Sequence, residues 1–407
     1  MSSAPATDGA EELDAFRNEV RRFIAEHKPE PPPFKLPQSF LEVESPEQFE
    51  YLRDWQRTVY DAGYLGFDVP EEYGGRGVDA NRRRIVQEEL TRARAPFFVN
   101  LIALTWVAPT LLAFGSEPQK RRLLKPLLRC DEVWCQGFSE PGAGSDLASL
   151  ETRAERTPDG WLVTGHKVWT TLAHHARWMI LLARTEPDVN KYLGLSYFLF
   201  PMDAPGVTVQ PLVKMTGEGG FNQVLLERAP MPADALLGEA GQGWQIAMTT
   251  LTFERGAAQG SGRERASAFV AGIERLRALA QRVKRDSRPA AEDPVFRDRI
   301  AELYVQAHAM AFSAARSGVP GLCADRPFAL PLMSKLTASE WNQRLAELAC
   351  EMLGPDAALW LGDANAPFAA EWPRAYMNSF GMTIGGGTSE ILRNILGERV
   401  LGLPKSK

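Results

Sequence analysis

The chain has 407 residues, enough for two or three folding units at roughly 150 residues each. Hydrophobic residues make up 44% and charged residues 24%, a globular composition that excludes a disordered chain, and the net charge of −5 argues against nucleic-acid binding. Four scattered cysteines, none in a CxxC pair, and five histidines leave no basis for a disulfide framework or a metal site.

Residues 1–44 read as a loose lead-in. Met1–Glu12 is small, polar and acidic, unlike a secretory signal or an Arg-rich transit peptide, so the chain is expected to be cytoplasmic. A short amphipathic helix is expected around Glu11–Ala25, followed by the stiff Pro29–Pro33 run. Residues 45–130 carry apolar side chains at three- and four-residue spacing and form a helical domain. Within it, Ala95–Ser116 has no charged residue. It holds Asn100, Pro109 and two threonines, which suits a buried helix pair broken near Pro109 better than a membrane span.

Residues 131–238 change texture. After the turn Thr157-Pro158-Asp159-Gly160 come short β-rich runs at Trp161–Thr164, Trp178–Leu182 and Ser196–Phe200, expected as strands of a mostly antiparallel sheet or barrel. Residues 239–407 are helical again, with breaks at Arg285–Pro294, Ser317–Pro327 and Gly385–Gly387. The order is α, β, α, an α+β architecture without the βαβ alternation of a doubly wound sheet.

Gly142-Ala143-Gly144 lacks the third glycine of a dinucleotide fingerprint, and adjacent His174-His175 reads as a partly exposed pair at a strand end. More telling is Cys135-Gln136-Gly137-Phe138-Ser139-Glu140-Pro141-Gly142-Ala143-Gly144-Ser145-Asp146, where small residues and hydroxyls expose backbone N–H groups. About twenty residues on, Gly165-His166-Lys167-Val168-Trp169-Thr170-Thr171 puts an indole beside a hydroxyl. Tyr73-Gly74-Gly75, Gly219-Gly220-Phe221-Asn222 and Gly385-Gly386-Gly387-Thr388-Ser389-Glu390-Ile391-Leu392-Arg393 complete the set.

In this order and spacing the segments resemble the acyl-CoA dehydrogenase family, from about Pro46 to Pro404. The resemblance implies an N-terminal helical domain, a middle β-barrel or sheet domain and a C-terminal four-helix bundle. It also implies FAD, held by Gln136, Phe138, Ser139, Gly144, Ser145, Trp169, Thr171, Thr388 and Glu390. Trp169 would pack on the flavin and Thr171 would hydrogen-bond near its N5. Ser145, Arg255 and Gly386 would contact the acyl-CoA.

The family chemistry needs a carboxylate to take the α-proton. Many members place that glutamate in the C-terminal loop, where this chain has Gly386. Others carry it on a helix, and the matching segment Leu251-Thr252-Phe253-Glu254-Arg255 retains it. On a helix starting near Gln242, Glu254 shares a face with Ala247 and Leu251, so its carboxylate joins an apolar stripe. Burial there would raise its pKa and favour its use as a base. The backbone N–H of Gly386 survives the loss of the side chain and would hold the thioester carbonyl. Thr388 is the expected N-cap of the following helix.

The Arg-Phe-Gln pattern by which the family reaches the partner subunit's FAD is missing from Val283–Pro294, and Met352–Asp356 only partly matches the family's later Gly-Gly loop. The expected activity is α,β-dehydrogenation of an acyl-CoA to the trans-2-enoyl-CoA, with electrons passed to an electron-transfer flavoprotein. The glycines at 385–387 leave room for a branched or ring-bearing acyl group such as a sterol side chain. Two other readings stand beside it: a catalytically impaired subunit of a heterotetramer rather than a homodimer or homotetramer, and an oxidase-like relative that uses oxygen.

Overall fold

The computed structural model describes residues 8–37, 39–257, 262–316, 319, 321–322, 325–326 and 328–405. The chain forms two compact units, Met1–Phe253 and Glu254–Lys407.

The first unit begins with α1 (Asp8–His27), α2 (Pro46–Asp61), a short hairpin of β1 (Asp68–Val69) and β2 (Gly77–Val78), and α3 (Ala80–Arg92). Next come α4 (Ala108–Phe114) and α5 (Glu117–Arg129). Local chemistry sets the starts. Ser45 with Gln48 and Ser116 with Gln119 form capping boxes on α2 and α5, and Asp79 accepts two backbone N–H bonds at the start of α3.

The expected lead-in is a packed element instead. Val20, Phe23 and Ile24 of α1 are buried against Trp55, Val59 and Ile85. Arg17 and Arg21 donate to the buried Glu89 carboxylate of α3 at 2.8 and 3.0 Å. Apolar residues at positions 13, 16, 20, 23 and 24 make a full helical stripe, which needs a partner face.

The uncharged segment also differs from expectation, because it does not break at Pro109. A wide π turn, Ala103–Val107, leads directly into α4 and leaves Pro109 in the first turn, where a missing N–H costs little. Thr105 and Thr110 donate to the carbonyls of Leu101 and Trp106, each at 2.7 Å. Among the described residues, no helix is long and apolar enough to cross a membrane.

The β region comprises β3 (Trp134–Gly137), β4 (Arg153–Thr157), β5 (Gly160–Thr171), β6 (Trp178–Arg184), β7 (Leu195–Pro201), β8 (Val207–Leu212), β9 (Phe221–Pro232) and β10 (Leu236–Leu237). They form one sheet in the order β10-β7-β6-β4-β5-β9-β8, with β3 parallel to β6 and most pairs antiparallel. Central β6 is buried on both faces and reads as a continuous apolar run, whereas β9 alternates for most of its length. The stretch Cys135–Gly137, which opens the first motif segment, is strand. A Cβ on Gly137 would lie 2.3 Å from Met179 Sδ, so a side chain there would have to displace the buried Met179 thioether of β6.

Helix α6 (Gly243–Ala257) crosses the boundary between the units. The second unit continues with α7 (Gly262–Arg282), the hairpin of β11 (Lys284–Arg285) and β12 (Arg288–Pro289), α8 (Pro294–Arg316), α9 (Ala329–Leu353), α10 (Glu371–Ile384) and α11 (Ser389–Ile395). Helices α7 to α10 bury Ile273, Leu276, Leu303, Leu345, Met352 and Trp372 as a bundle core. The Trp341 indole of α9 donates to Leu303 O of α8 at 3.0 Å. The expected break over Ser317–Pro327 falls partly outside the described residues, between the end of α8 and the start of α9.

If α1 is part of the core, Phe23→Ala should lower stability by about 3 kcal/mol, the usual cost of truncating a buried Phe. A urea melt checks this; an unmoved midpoint would mean that α1 is an appendage.

Candidate active site

In the first unit, the two motif segments meet through a buried ion pair. Lys167 Nζ is fully buried and donates to Glu140 Oε1 at 2.8 Å and to Phe138 O at 3.1 Å. The Glu140 carboxylate also accepts from the N–H groups of Glu151 and Thr152 at 2.6 and 2.9 Å. Burial alone would raise the Glu140 pKa, but the Lys167 charge and these donors hold it below the usual range. Burial pulls Lys167 down to about 8, against the opposing pull of Glu140. Glu140 and Ala143 exchange backbone bonds and close the turn, and Val168 N donates to Ser139 O at 2.9 Å.

Strand β5 then loses register with β9 between Lys167 and Thr170. At this bulge Trp169 takes φ +60, a left-handed conformation that is costly for an aromatic residue, and its side chain is 61% exposed. The indole is turned outward, supported edge-on by the Phe221 ring at 5.8 Å. Thr170 and Thr171 stay buried.

The expected residues fall into two groups here. Gln136 and Ser139 are half-buried, Phe138 and Thr171 are buried, and Trp169 is exposed, all on β3, β5 or the loop that the ion pair fastens between them. Phe138 packs edge-on to Tyr197 at 5.8 Å. Gly144 and Ser145 lie past the Glu140–Ala143 closure on an exposed loop tip. Gln136 Nε2 and Thr170 Oγ1 are buried and have no hydrogen-bond partner among the described residues. Lys167 and Glu140 went unassigned in the sequence. Two opposite charges inside otherwise small or apolar β segments were the available signal.

In the second unit, the loop after α10 carries Gly386 at φ +69 and Gly387 at φ +106. A Cβ on Gly386 would lie 3.4 Å from Glu254 Oε1, so the helix carboxylate and the loop position meet. Thr388 accepts from Ile391 N at 3.2 Å as the N-cap of α11. Glu390 is exposed in the first turn, its pKa lowered by its backbone N–H and by Thr388. The Arg255 side chain lies outside the described residues. The segment without the Arg-Phe-Gln pattern forms the β11–β12 hairpin, with Asp286 and Ser287 both left-handed. Its Arg285 guanidinium lies over Gly354.

Comparisons with known proteins agree across the chain. The N-terminal, middle and C-terminal domain models of acyl-CoA dehydrogenase match residues 10–131, 135–227 and 241–401. Acyl-CoA dehydrogenase IpdE1 of Mycobacterium tuberculosis is 41% identical over 360 residues, 88% of this chain and 90% of that protein. The chain belongs to the acyl-CoA dehydrogenase family. Among solved structures, the Tcur3481-Tcur3483 steroid ACAD is 26% identical with a TM-score of 0.77, covering 100% of both chains. The ChsE4-ChsE5 complex from Mycobacterium tuberculosis is also 26% identical, with a TM-score of 0.75 and the same full coverage. This family member is an oxidoreductase acting on the CH–CH group of acyl-CoA, with FAD as cofactor. The residues present fit a flavin: a buried amide N–H and a buried hydroxyl await polar partners, and a strained bulge presents a flat indole.

The ion pair yields a direct expectation. Lys167→Met leaves a buried carboxylate without its cation and should cost about 3–5 kcal/mol and most of the bound FAD. Adding Glu140→Gln should recover part of the stability. Thermal melts and flavin absorbance check both, and an unchanged single variant would contradict the role given to the pair.

Proposed function

We propose that this chain removes the α and β hydrogens of a bulky acyl-CoA thioester to give the trans-2-enoyl-CoA, with Glu254 as the base. The observation that carries the reading is the approach of Glu254 Oε1 to the Gly386 Cβ position. A glutamate side chain at 386 would start 3.4 Å from that oxygen, so the two positions address the same point. Helix and loop are thus alternative seats for one base, and glycine in the loop accompanies glutamate on the helix.

Glu254, half-buried on α6, takes the α-proton on a carboxylate oxygen. The Gly386 N–H donates to the thioester carbonyl and stabilises the negative charge that develops there, an effect commonly worth 10²–10³ in rate. FAD, when bound, would supply the hydride acceptor for Cβ, and an electron-transfer flavoprotein would take up the electrons. Gln136, Phe138, Ser139, Trp169 and Thr171 hold the flavin, with Gly144, Ser145, Thr388 and Glu390 as outer contacts. Ser145 and Arg255 contact the acyl-CoA.

Two glycines in place of side chains at 386 and 387 leave volume beside the reacting carbons, which supports a branched or ring-bearing acyl group. The likeness to a steroid ACAD points the same way. A heteromeric assembly is a second reading, favoured by the β11–β12 hairpin, where the expected Phe and Gln are absent, and by the likeness to the two-protein ChsE4-ChsE5 complex.

Glu254→Gln should retain FAD and slow its anaerobic reduction by acyl-CoA about 10³-fold, within the range for a lost general base. Reduction at the normal rate would move the base elsewhere. Steady-state turnover of ring-bearing and branched thioesters should exceed that of butyryl-CoA; strict preference for the short straight chain would contradict the substrate class.

A further inference from the structure

The glycine loop has an anchor that the reading above does not use. Gly385 N still donates to Gly381 O at 2.8 Å as α10 ends, and Thr388 caps α11. Between them, Gly386 and Gly387 have positive φ and no side chains with which to hold a conformation. Lys335, in the second turn of α9, donates its ammonium to Gly387 O at 2.6 Å, the short distance of a charge-assisted bond. Its Cε lies 3.8 Å from the Cβ position of Gly386, the same point that Glu254 Oε1 approaches at 3.4 Å. A cation from α9, a carboxylate from α6 and a bare stretch of backbone therefore converge.

We infer that Lys335 is a positioning residue for the dehydrogenation: it fastens the Gly386–Gly387 loop to α9 and so fixes the direction of the Gly386 N–H toward the thioester carbonyl. The inference rests on the role given to that N–H above. Glycine carries the largest backbone entropy, and an oxyanion donor must hold its direction closely to be effective. A side chain at 386 or 387 would restrict the loop by its own packing. Here a long side chain from a neighbouring helix does so from outside.

The test compares the holoenzyme with Lys335→Met and Lys335→Arg. Lys335→Met should keep FAD and KM within about threefold while kcat falls about 100-fold, the usual effect of losing an oxyanion donor. Lys335→Arg, which keeps the cation and a donor, should restore most of kcat. Infrared spectra of a carbonyl-¹³C acyl-CoA bound to Glu254→Gln enzyme read the donor directly. The carbonyl band should be shifted down in Glu254→Gln and return toward its solution frequency when Lys335→Met is added. An unchanged kcat in Lys335→Met, or an unchanged carbonyl band in the double variant, overturns the inference. If Lys335→Met fails to fold, Lys335→Gln takes its place, and failure of both assigns Lys335 to stability alone and overturns it as well. Failure of the unsubstituted enzyme to reduce FAD with any thioester would instead overturn the parent reading.

Discussion

A buried ammonium and a buried carboxylate are tolerable in a protein interior only when each satisfies the other and the remaining donors and acceptors are filled. Lys167 and Glu140 meet that condition, and the arrangement of the residues proposed to hold the flavin depends on it. The pair fastens the loop at Phe138–Ala143 to β5, and the lysine's second bond, to Phe138 O, fixes where the loop leaves β3. Just past that anchor the strand bulges, and the bulge turns the Trp169 indole outward. An indole left in register would join a sheet face, so the electrostatic clasp and the strained residue belong to one device.

The second unit follows a related logic with different means. Its loop has shed side chains at the positions nearest the helix carboxylate, and backbone geometry replaces them. A glycine at 386 keeps its N–H, and the Glu254 carboxylate, the base proposed above, approaches the same point from α6. The Gly385 bond to Gly381 O and the Thr388 cap hold the two ends of that bare segment, and Lys335 fastens it through Gly387 O.

Much of this was legible in the sequence because it is local. Strands around Trp161, Trp178 and Ser196, the helix from Gly243, the Thr388 cap and the break at Gly385–Gly387 all follow from periodicity, turn residues and capping chemistry. What was missed depends on partners distant in sequence. Helix α1 looked like a lead-in because its burial comes from α2 and α3, and Pro109 looked like a break because the π turn before it leaves no mark in composition. Strand β3 is too short and glycine-ended to read alone, and its place follows from Met179 on β6. Lys167 lies 27 residues from Glu140, and Lys335 lies 52 from Gly387. Neither pairing leaves a periodic trace.

On this reading a single chain both holds FAD, the oxidant, and carries the base that takes the α-proton of an acyl-CoA. The most direct measurement is an anaerobic absorbance spectrum of the chain purified alone, before and after addition of straight, branched and ring-bearing acyl-CoA thioesters. A flavin spectrum that bleaches, most rapidly with the bulky thioesters, is the predicted result. A colourless protein that gains flavin only with a co-expressed partner, or a yellow one that no thioester bleaches, would contradict it.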